Sequence, residues 1–154
     1  MFKKSAKIMS AVAAVVISAG ILTVPAGAVY NPPVTITPVT NNYYQNVRFY
    51  IPTFVNGYVL TGSSQVNARI AQANYSYGNQ TLVVRKAVGG TGISVNYPGT
   101  FRTVVSGRPV VYKGTRQGYY AATWSNGQYN YVVKSSHPLN MAQMNTIVAA
   151  LINA

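Results

Sequence analysis

The sequence predicts an α+β fold: a meandering antiparallel β-sheet packed by one C-terminal helix, after a signal peptide and an extended leader. Two patterns carry this prediction. Short runs rich in β-branched and aromatic residues alternate with turns that contain Gly and Asn over most of the chain. Near the C-terminus the apolar spacing changes to i, i+3, i+4, i+7 and i+8, which is typical of an amphipathic helix with one buried face.

The N-terminal segment, residues 1–28, has the three parts of a secretory signal peptide. Lys3, Lys4 and Lys7 form a basic start, an apolar run follows, and Ala26-Gly27-Ala28 is a small-residue cleavage site. We expect cleavage after Ala28 and a protein that is secreted or otherwise extracytoplasmic. The alternative is that the apolar stretch is retained as a membrane anchor, for which its length is near the lower limit.

Residues 29–46 are rich in Pro, Thr and Asn, which predicts an extended leader, and residues 47–154 form the predicted domain. Val47–Ile51 is expected to be its first short strand. The strongest hairpin signal is Asn126-Gly127 between two alternating runs, because both residues tolerate positive φ.

The C-terminal helix is predicted to begin after Asn140. Asn140 and Gln143 have the spacing of a capping box, and Leu139 and Met144 have the spacing of a hydrophobic staple. The apolar stripe that should face the sheet consists of Met144, Ile147, Val148, Leu151 and Ile152.

The charged side chains of this sequence are all positive. The chain contains twelve Lys and Arg residues, one His, and no Asp, Glu or Cys. No ion pair can therefore form between its side chains, and its positive potential favours anionic polymers and surfaces. Acid also lacks its usual means of unfolding a protein, which is the protonation of native carboxylates.

The same composition excludes the common catalytic classes. Glycoside hydrolysis needs two carboxylates, and a Ser-His-Asp triad needs one. Zinc and calcium sites need clusters of His, Cys, Asp or Glu, and a thiol nucleophile needs Cys. The sequence predicts a protein that is not an enzyme, with no catalytic residues, no metal site and no cofactor.

A set of cationic residues in the predicted strands and turns is the first candidate binding surface, because Arg forks bind phosphate through two parallel hydrogen bonds. Neighbouring strand residues point to opposite faces, so Arg85 and Lys86 are not expected to share one patch. The alternative is a set of dispersed, solvated charges. The candidate anion-binding residues are Arg85, Lys86, Arg102, Arg108, Lys113, Arg116 and Lys134.

A group of aromatic residues is the second candidate, as a platform on which sugar rings or bases stack. Ordinary cross-strand packing within the sheet is the alternative, since Tyr and Trp favour strands. The candidate platform residues are Tyr119, Tyr120, Trp124, Tyr129 and Tyr131.

Several ordered motifs also carry a family resemblance. They are the runs Ile51–Leu60, Ile70–Tyr75, Leu82–Ala87 and Ala122–Tyr131, the last with the sequence Ala-Thr-Trp-Ser-Asn-Gly-Gln-Tyr-Asn-Tyr. Over residues 47–152 the chain resembles an uncharacterised domain family of exported and membrane-anchored Gram-positive bacterial proteins. The resemblance implies an extracytoplasmic β-sheet module, similar in shape to lipoprotein-carrier folds, and no known activity. Members of that family carry Asp and Glu, so any role that depends on carboxylates is absent here.

Together these observations predict a secreted, non-catalytic basic binding module for an anionic cell-wall polymer or an anionic lipid surface. Nucleic acid is not expected as a natural partner outside the cell, and the sequence identifies no protein partner. Two alternatives stay open. One is a structural or protein-interaction domain of an acid-tolerant exported protein, and the other is a carrier of an apolar ligand.

Overall fold

A computed structural model describes residues 43–90 and 93–154. The predicted signal peptide and residues 29–42 of the predicted leader lie outside the described residues. The elements, in chain order, are β1 (Tyr43–Tyr44), a 3₁₀ helix (Gln45–Val47), β2 (Phe49–Tyr50), β3 (Phe54–Val55), β4 (Tyr58–Asn67), β5 (Ile70–Tyr77), β6 (Gln80–Val88), β7 (Gly99–Val105), β8 (Arg108–Thr115), β9 (Gly118–Asn126), β10 (Tyr129–Leu139) and α1 (Met141–Ile152).

Strands β3 to β10 form one antiparallel sheet of eight strands in the order β3-β4-β5-β6-β10-β9-β8-β7. Two meanders of four strands each, β3–β6 and β7–β10, are joined where β6 pairs with β10. Val84 lies opposite Val133 near the middle of this junction. The predicted α+β fold with a single C-terminal helix is confirmed.

Tight turns connect most neighbouring strands. Asn56 and Gly57 have φ of 45° and 91°, and both angles are positive, as a type I′ hairpin turn requires. The predicted hairpin at Asn126-Gly127 is confirmed, with its turn one residue further along than predicted. Asn126 pairs with Tyr129, so the turn residues are Gly127, with φ of 62°, and Gln128.

A β-bulge at Tyr120 changes which side chains face the core. Lys113 pairs with Ala121, but Gly114 pairs with Tyr119, so Tyr120 is an extra residue in β9. The backbones approach closely at this point, because a Cβ on Gly114 would overlap the carbonyl oxygen of Gly118. The bulge places Tyr120 on the same face as Ala121 and Tyr119 on the face of Tyr112, the reverse of what regular alternation along β9 would give.

Helix α1 packs on one face of the sheet, which we call the inner face. Leu82 and Val84 of β6 point to this face and belong to the same buried core as the helix. The capping box is confirmed, since the Asn140 side chain accepts from the Gln143 backbone and the Gln143 side chain accepts from the Asn140 backbone. The buried helix residues are Met144, Ile147, Val148 and Leu151.

The segment from Tyr43 to Val55 also packs on the inner face. Its side chains Val47, Phe49, Ile51 and Val55 are buried in the main core. The prediction of a strand beginning at Val47 is wrong, because Val47 ends the 3₁₀ helix. Arg48 follows with φ of 48°, in the left-handed region, and turns the chain into β2.

Candidate functional site

The sheet divides the predicted anion-binding residues between its two faces. Directly opposite residues in paired strands share a face, and the register links Arg85 through Val132, Thr123 and Val111 to Arg102. The neighbouring row links Lys134 through Ala121 to Lys113. These cations lie on the face opposite helix α1, the outer face. We call the set Arg85, Arg102, Lys113 and Lys134 the outer basic patch.

The outer basic patch extends across five neighbouring strands, from β6 to β7. Strands lie about 4.8 Å apart in a sheet, so the backbones at Lys113 and Lys134 are about 10 Å apart. On the same basis those at Arg85 and Arg102 are about 19 Å apart. The patch therefore has the dimensions of a surface for an extended ligand.

Two of the patch cations are held by neutral groups of the protein. Arg85 donates from Nε to Gln72 Oε1 at 2.7 Å, and Gln72 donates in turn to Asn74 Oδ1 at 3.0 Å. Lys113 donates from Nζ to the carbonyl oxygen of Val95 at 2.7 Å. These bonds fix the direction of both side chains without neutralising either charge.

The described residues of the connection between β6 and β7 cross the outer face. Val95 is buried there against Ala121 and Val132, with Ile93 and Tyr97 packed around the same small cluster. Beside it lies an open groove of about 380 Å³. Its lining residues are Ile93, Pro109, Val111, Thr123, Trp124, Ser125 and Asn130. Val111, one of the lining residues, lies opposite Arg102 in the neighbouring strand.

Lys86 points to the inner face, as the alternation around Arg85 predicts. It is only 6% exposed, and its Nζ donates to the carbonyl oxygen of Arg48. The same Nζ lies 4.3 Å from the ring centroid of Tyr129 and 5.1 Å from that of Tyr131. Two aromatic faces and one carbonyl therefore take the place of the carboxylate that the chain lacks.

Burial changes the ionisation of this inner cluster. Desolvation, and secondly the charge of Arg48, lower the pKa of Lys86 to about 8. Burial raises the pKa of Tyr131, although the charge of Arg108 acts in the opposite direction. Arg108 is a second cation on the inner face, because it alternates in step with Val110 and Tyr112 of β8, which are buried in the main core. Arg116 lies apart from both groups in the turn between β8 and β9.

The predicted aromatic residues occupy three different environments. Trp124 stacks on Tyr131 with ring centroids 5.1 Å apart and an interplanar angle of 3°, and Trp124 is only 5% exposed. Tyr119 packs against Tyr112 with ring centroids 5.2 Å apart. Tyr120, on the outer face, stacks on Tyr97 with centroids 5.4 Å apart. The faces of most of these rings are therefore in contact with another ring or with the ammonium group of Lys86.

Sequence reasoning missed three residues that organise these groups. Gln72 orients Arg85, Val95 accepts from Lys113, and Arg48 supplies the carbonyl that binds Lys86. The alternation of β5 carried a signal for Gln72, because its side chain shares a face with Arg85. Nothing local identifies the other two, since both are backbone acceptors in irregular segments.

The described residues contain no group of three or more His, Cys, Asp or Glu side chains that could hold a metal ion. Among residues 43–90 and 93–154, no helix is long and apolar enough to cross a membrane. Comparison of the chain with models of protein families, with curated proteins and with solved structures finds no match.

Proposed function

We propose that this protein is an exported, non-catalytic module that binds an anionic polymer or an anionic lipid surface of the cell envelope through its outer basic patch. The observation that supports the proposal most strongly is the placement of four cations on the face opposite the helix, in a chain with no Asp or Glu. None of these charges has a carboxylate side chain of this protein as a counter-ion, because the chain contains no Asp or Glu.

The dimensions of the patch favour an extended ligand over a small ion. An isolated phosphate contacts one or two neighbouring cations, whereas the outermost arginines are separated by about 19 Å. A chain of phosphates, or a surface of lipid headgroups, presents charges over that length. The neutral partners Gln72 and the Val95 carbonyl hold two of the cations in place before the ligand arrives.

The second candidate function, an apolar-ligand carrier, has less support. A carrier binds its ligand between the sheet and the helix. The centre of that space is filled by side chains of the protein itself, and an open pocket of about 310 Å³ lies at its border, beside Tyr77 and Gln143. Met144, Ile147 and Val148 are completely buried against the inner face, as are Val47 and Ile51 from the N-terminal segment.

The experiment that tests the proposed function is co-sedimentation of the chain beginning at Val29 with three targets over a series of salt concentrations. The targets are isolated bacterial cell walls, vesicles containing phosphatidylglycerol, and neutral phosphatidylcholine vesicles. We expect binding to at least one anionic target, no binding to neutral vesicles, and a steep loss of binding as salt rises, because binding releases condensed counterions.

The anionic target to which the protein binds identifies the class of its ligand. Binding that does not change with salt, or no binding to either anionic target at low salt, contradicts the proposal. In the second case the positive charge serves solubility, and protein partners become the leading hypothesis.

A further inference from the structure

The two edges of the sheet differ in how open they are. The edge strand β3 is only two residues long, and beyond it β4 forms the edge, with register shifts between Leu60 and Gly62 and between Gln65 and Asn67. Short edge strands and β-bulges are two of the ways in which proteins avoid unwanted pairing. The edge at β7 is seven residues long and contains no Pro. Within the described part of the chain, β7 pairs with β8 on one side and with no strand on the other.

The position of Pro109 indicates which backbone groups of β7 face this open edge. Val104 lies opposite Pro109, which has no N–H and cannot complete a pair that exchanges two hydrogen bonds. Hydrogen-bonded pairs alternate with non-bonded pairs along an antiparallel ladder. The N–H and C=O groups of Thr100, Arg102 and Val104 therefore point away from β8, toward the open edge.

The side chains along the edge are exposed and mixed in character. Phe101 is 41% exposed and Val104 is 67% exposed, among the most exposed large apolar side chains in the structure. Arg102 lies between them and is also exposed. An added strand would thus gain three positions of backbone pairing, apolar contacts with Val104 on the outer face and Phe101 on the inner face, and one positive charge at Arg102.

A second copy of this chain is a poor occupant of the edge. The fullest antiparallel overlap of two β7 edges pairs Thr100 with Val104 and places Arg102 directly opposite Arg102 of the other copy. Like charges directly opposite each other destabilise a strand pair. No Asp or Glu exists anywhere in the chain to offset that repulsion. A carboxylate opposite Arg102 would replace that repulsion by attraction, and a strand that carries one comes from another protein, because this chain has no Asp or Glu.

We propose that the open edge of β7 binds an extended, acid-bearing segment of another protein, which adds to the sheet as a ninth strand. Backbone pairing at Thr100, Arg102 and Val104 supplies the hydrogen bonds, and side chains on alternate positions supply the selectivity. The segment presents a carboxylate opposite Arg102 and an apolar side chain opposite Val104. Arg102 belongs both to this site and to the outer basic patch, whereas Thr100 and Val104 belong to this site alone.

The test uses two seven-residue peptides labelled with a fluorophore. The first has Val at position two, Glu at position four and Thr at position six, which match Val104, Arg102 and Thr100 in an antiparallel alignment. The second replaces only the Glu with Lys. We expect the Glu peptide to raise fluorescence anisotropy on titration with the protein, and the Lys peptide to bind several-fold to about tenfold more weakly.

Variants of the protein separate edge pairing from general charge attraction. Val104→Pro removes an outward N–H without removing a bond to β8, and we expect it to weaken binding of the Glu peptide by about tenfold or more. Val104→Thr is the matched control, because it keeps the N–H and a β-branched side chain. Arg102→Gln should reduce the preference for Glu over Lys without abolishing binding. Circular dichroism verifies that each variant retains the sheet.

Three results would overturn the inference. The first is equal binding of the Glu peptide by Val104→Pro and Val104→Thr. The second is equal binding of the two peptides by the unmodified protein. The third is sedimentation of the protein as a dimer that Val104→Pro dissociates, because a second copy would then occupy the edge.

Discussion

Lys86 is a buried cation in a chain that has no carboxylate side chain with which to pair it. Its ammonium group is stabilised by the Arg48 carbonyl and by the rings of Tyr129 and Tyr131. These partners reduce the desolvation cost without cancelling it, so the pKa falls from 10.5 to about 8. The same contact attaches the N-terminal segment to β6.

Stability should therefore rise with pH above neutrality. Between pH 8 and 10.5 the unfolded chain keeps the proton on Lys86 while the folded protein has lost it. The free energy of unfolding then increases with pH, by at most about 1.4 kcal/mol per pH unit. Above pH 10 the slope reverses, because burial raises the pKa of Tyr112 to about 12 and the unfolded tyrosine ionises first.

Urea unfolding at pH 7, 8, 9 and 10 measures this dependence. In Lys86→Met, which keeps an unbranched apolar stem, we expect the rise between pH 8 and 10 to disappear. Lys113→Met is the matched control and should keep the rise, because Lys113 lies on the outer face. A Lys86→Met profile parallel to that of the unmodified protein would contradict this account.

At the scale of elements, the bulge in β9 determines how the aromatic residues are distributed. It turns Tyr119 toward Tyr112 in the core and Tyr120 toward Tyr97 on the outer face. The bulge requires a very close approach of β8 and β9 at Gly114. A Cβ there would overlap the Gly118 carbonyl and lie 2.9 Å from the Tyr119 Cα.

Gly114→Ala should consequently lower the free energy of unfolding by about 3 kcal/mol, because the backbones must separate to admit a methyl group. Gly62→Ala is the control, since a Cβ at Gly62 meets no atom within 4 Å and should change stability by less than about 1 kcal/mol. Chemical denaturation of both variants provides the comparison. Similar losses of stability in the two variants would show that the close approach of the backbones does not restrict the size of the residue at position 114.

The elements also differ in how far the sequence predicted them. Helix α1 and the hairpin at Asn126-Gly127 were predictable, because capping, apolar spacing and turn chemistry act within a few residues. The pairing of β6 with β10 was not, since Val84 and Val133 are brought together by tertiary packing with no turn between them. The open edge at β7 follows from that strand order, so the sequence did not predict it, for the same reason.

In the candidate site, too, the sequence predicted what depends on neighbouring residues and did not predict what depends on the order of distant strands. Alternation predicted that Arg85 and Lys86 point to opposite faces, and the register of the sheet confirms it. It did not predict that Arg85, Arg102, Lys113 and Lys134 share a face, because that depends on the order of five strands. The bulge at Tyr120 also reverses the alternation on which a sequence argument about Tyr119 relies.

At the scale of the whole molecule, the absence of Asp and Glu predicts an unusual tolerance of acid. Without native carboxylates to protonate, the free energy of unfolding should change by less than about 1 kcal/mol between pH 3 and pH 6, or about 5 °C in Tm. Calorimetry at fixed ionic strength measures this directly. A fall in Tm of more than about 10 °C would mean that another acid-sensitive interaction stabilises the fold.

The proposed function requires that a particular face of the molecule, and not its net charge alone, binds the anionic ligand. Two double variants separate these explanations, because each removes two positive charges. Arg102→Gln with Lys134→Gln alters the outer basic patch. Arg69→Gln with Arg116→Gln alters exposed residues in the turns at the ends of the sheet.

The most direct measurement is the affinity of both double variants for inorganic polyphosphate, a soluble phosphate polymer, over a series of salt concentrations. We predict that the outer-face variant loses about tenfold or more in affinity at low salt, and that its slope of log K against log salt falls by about one to two. The turn variant should stay close to the unmodified protein. Equal losses in the two variants would contradict the account, because net charge alone would then explain the binding.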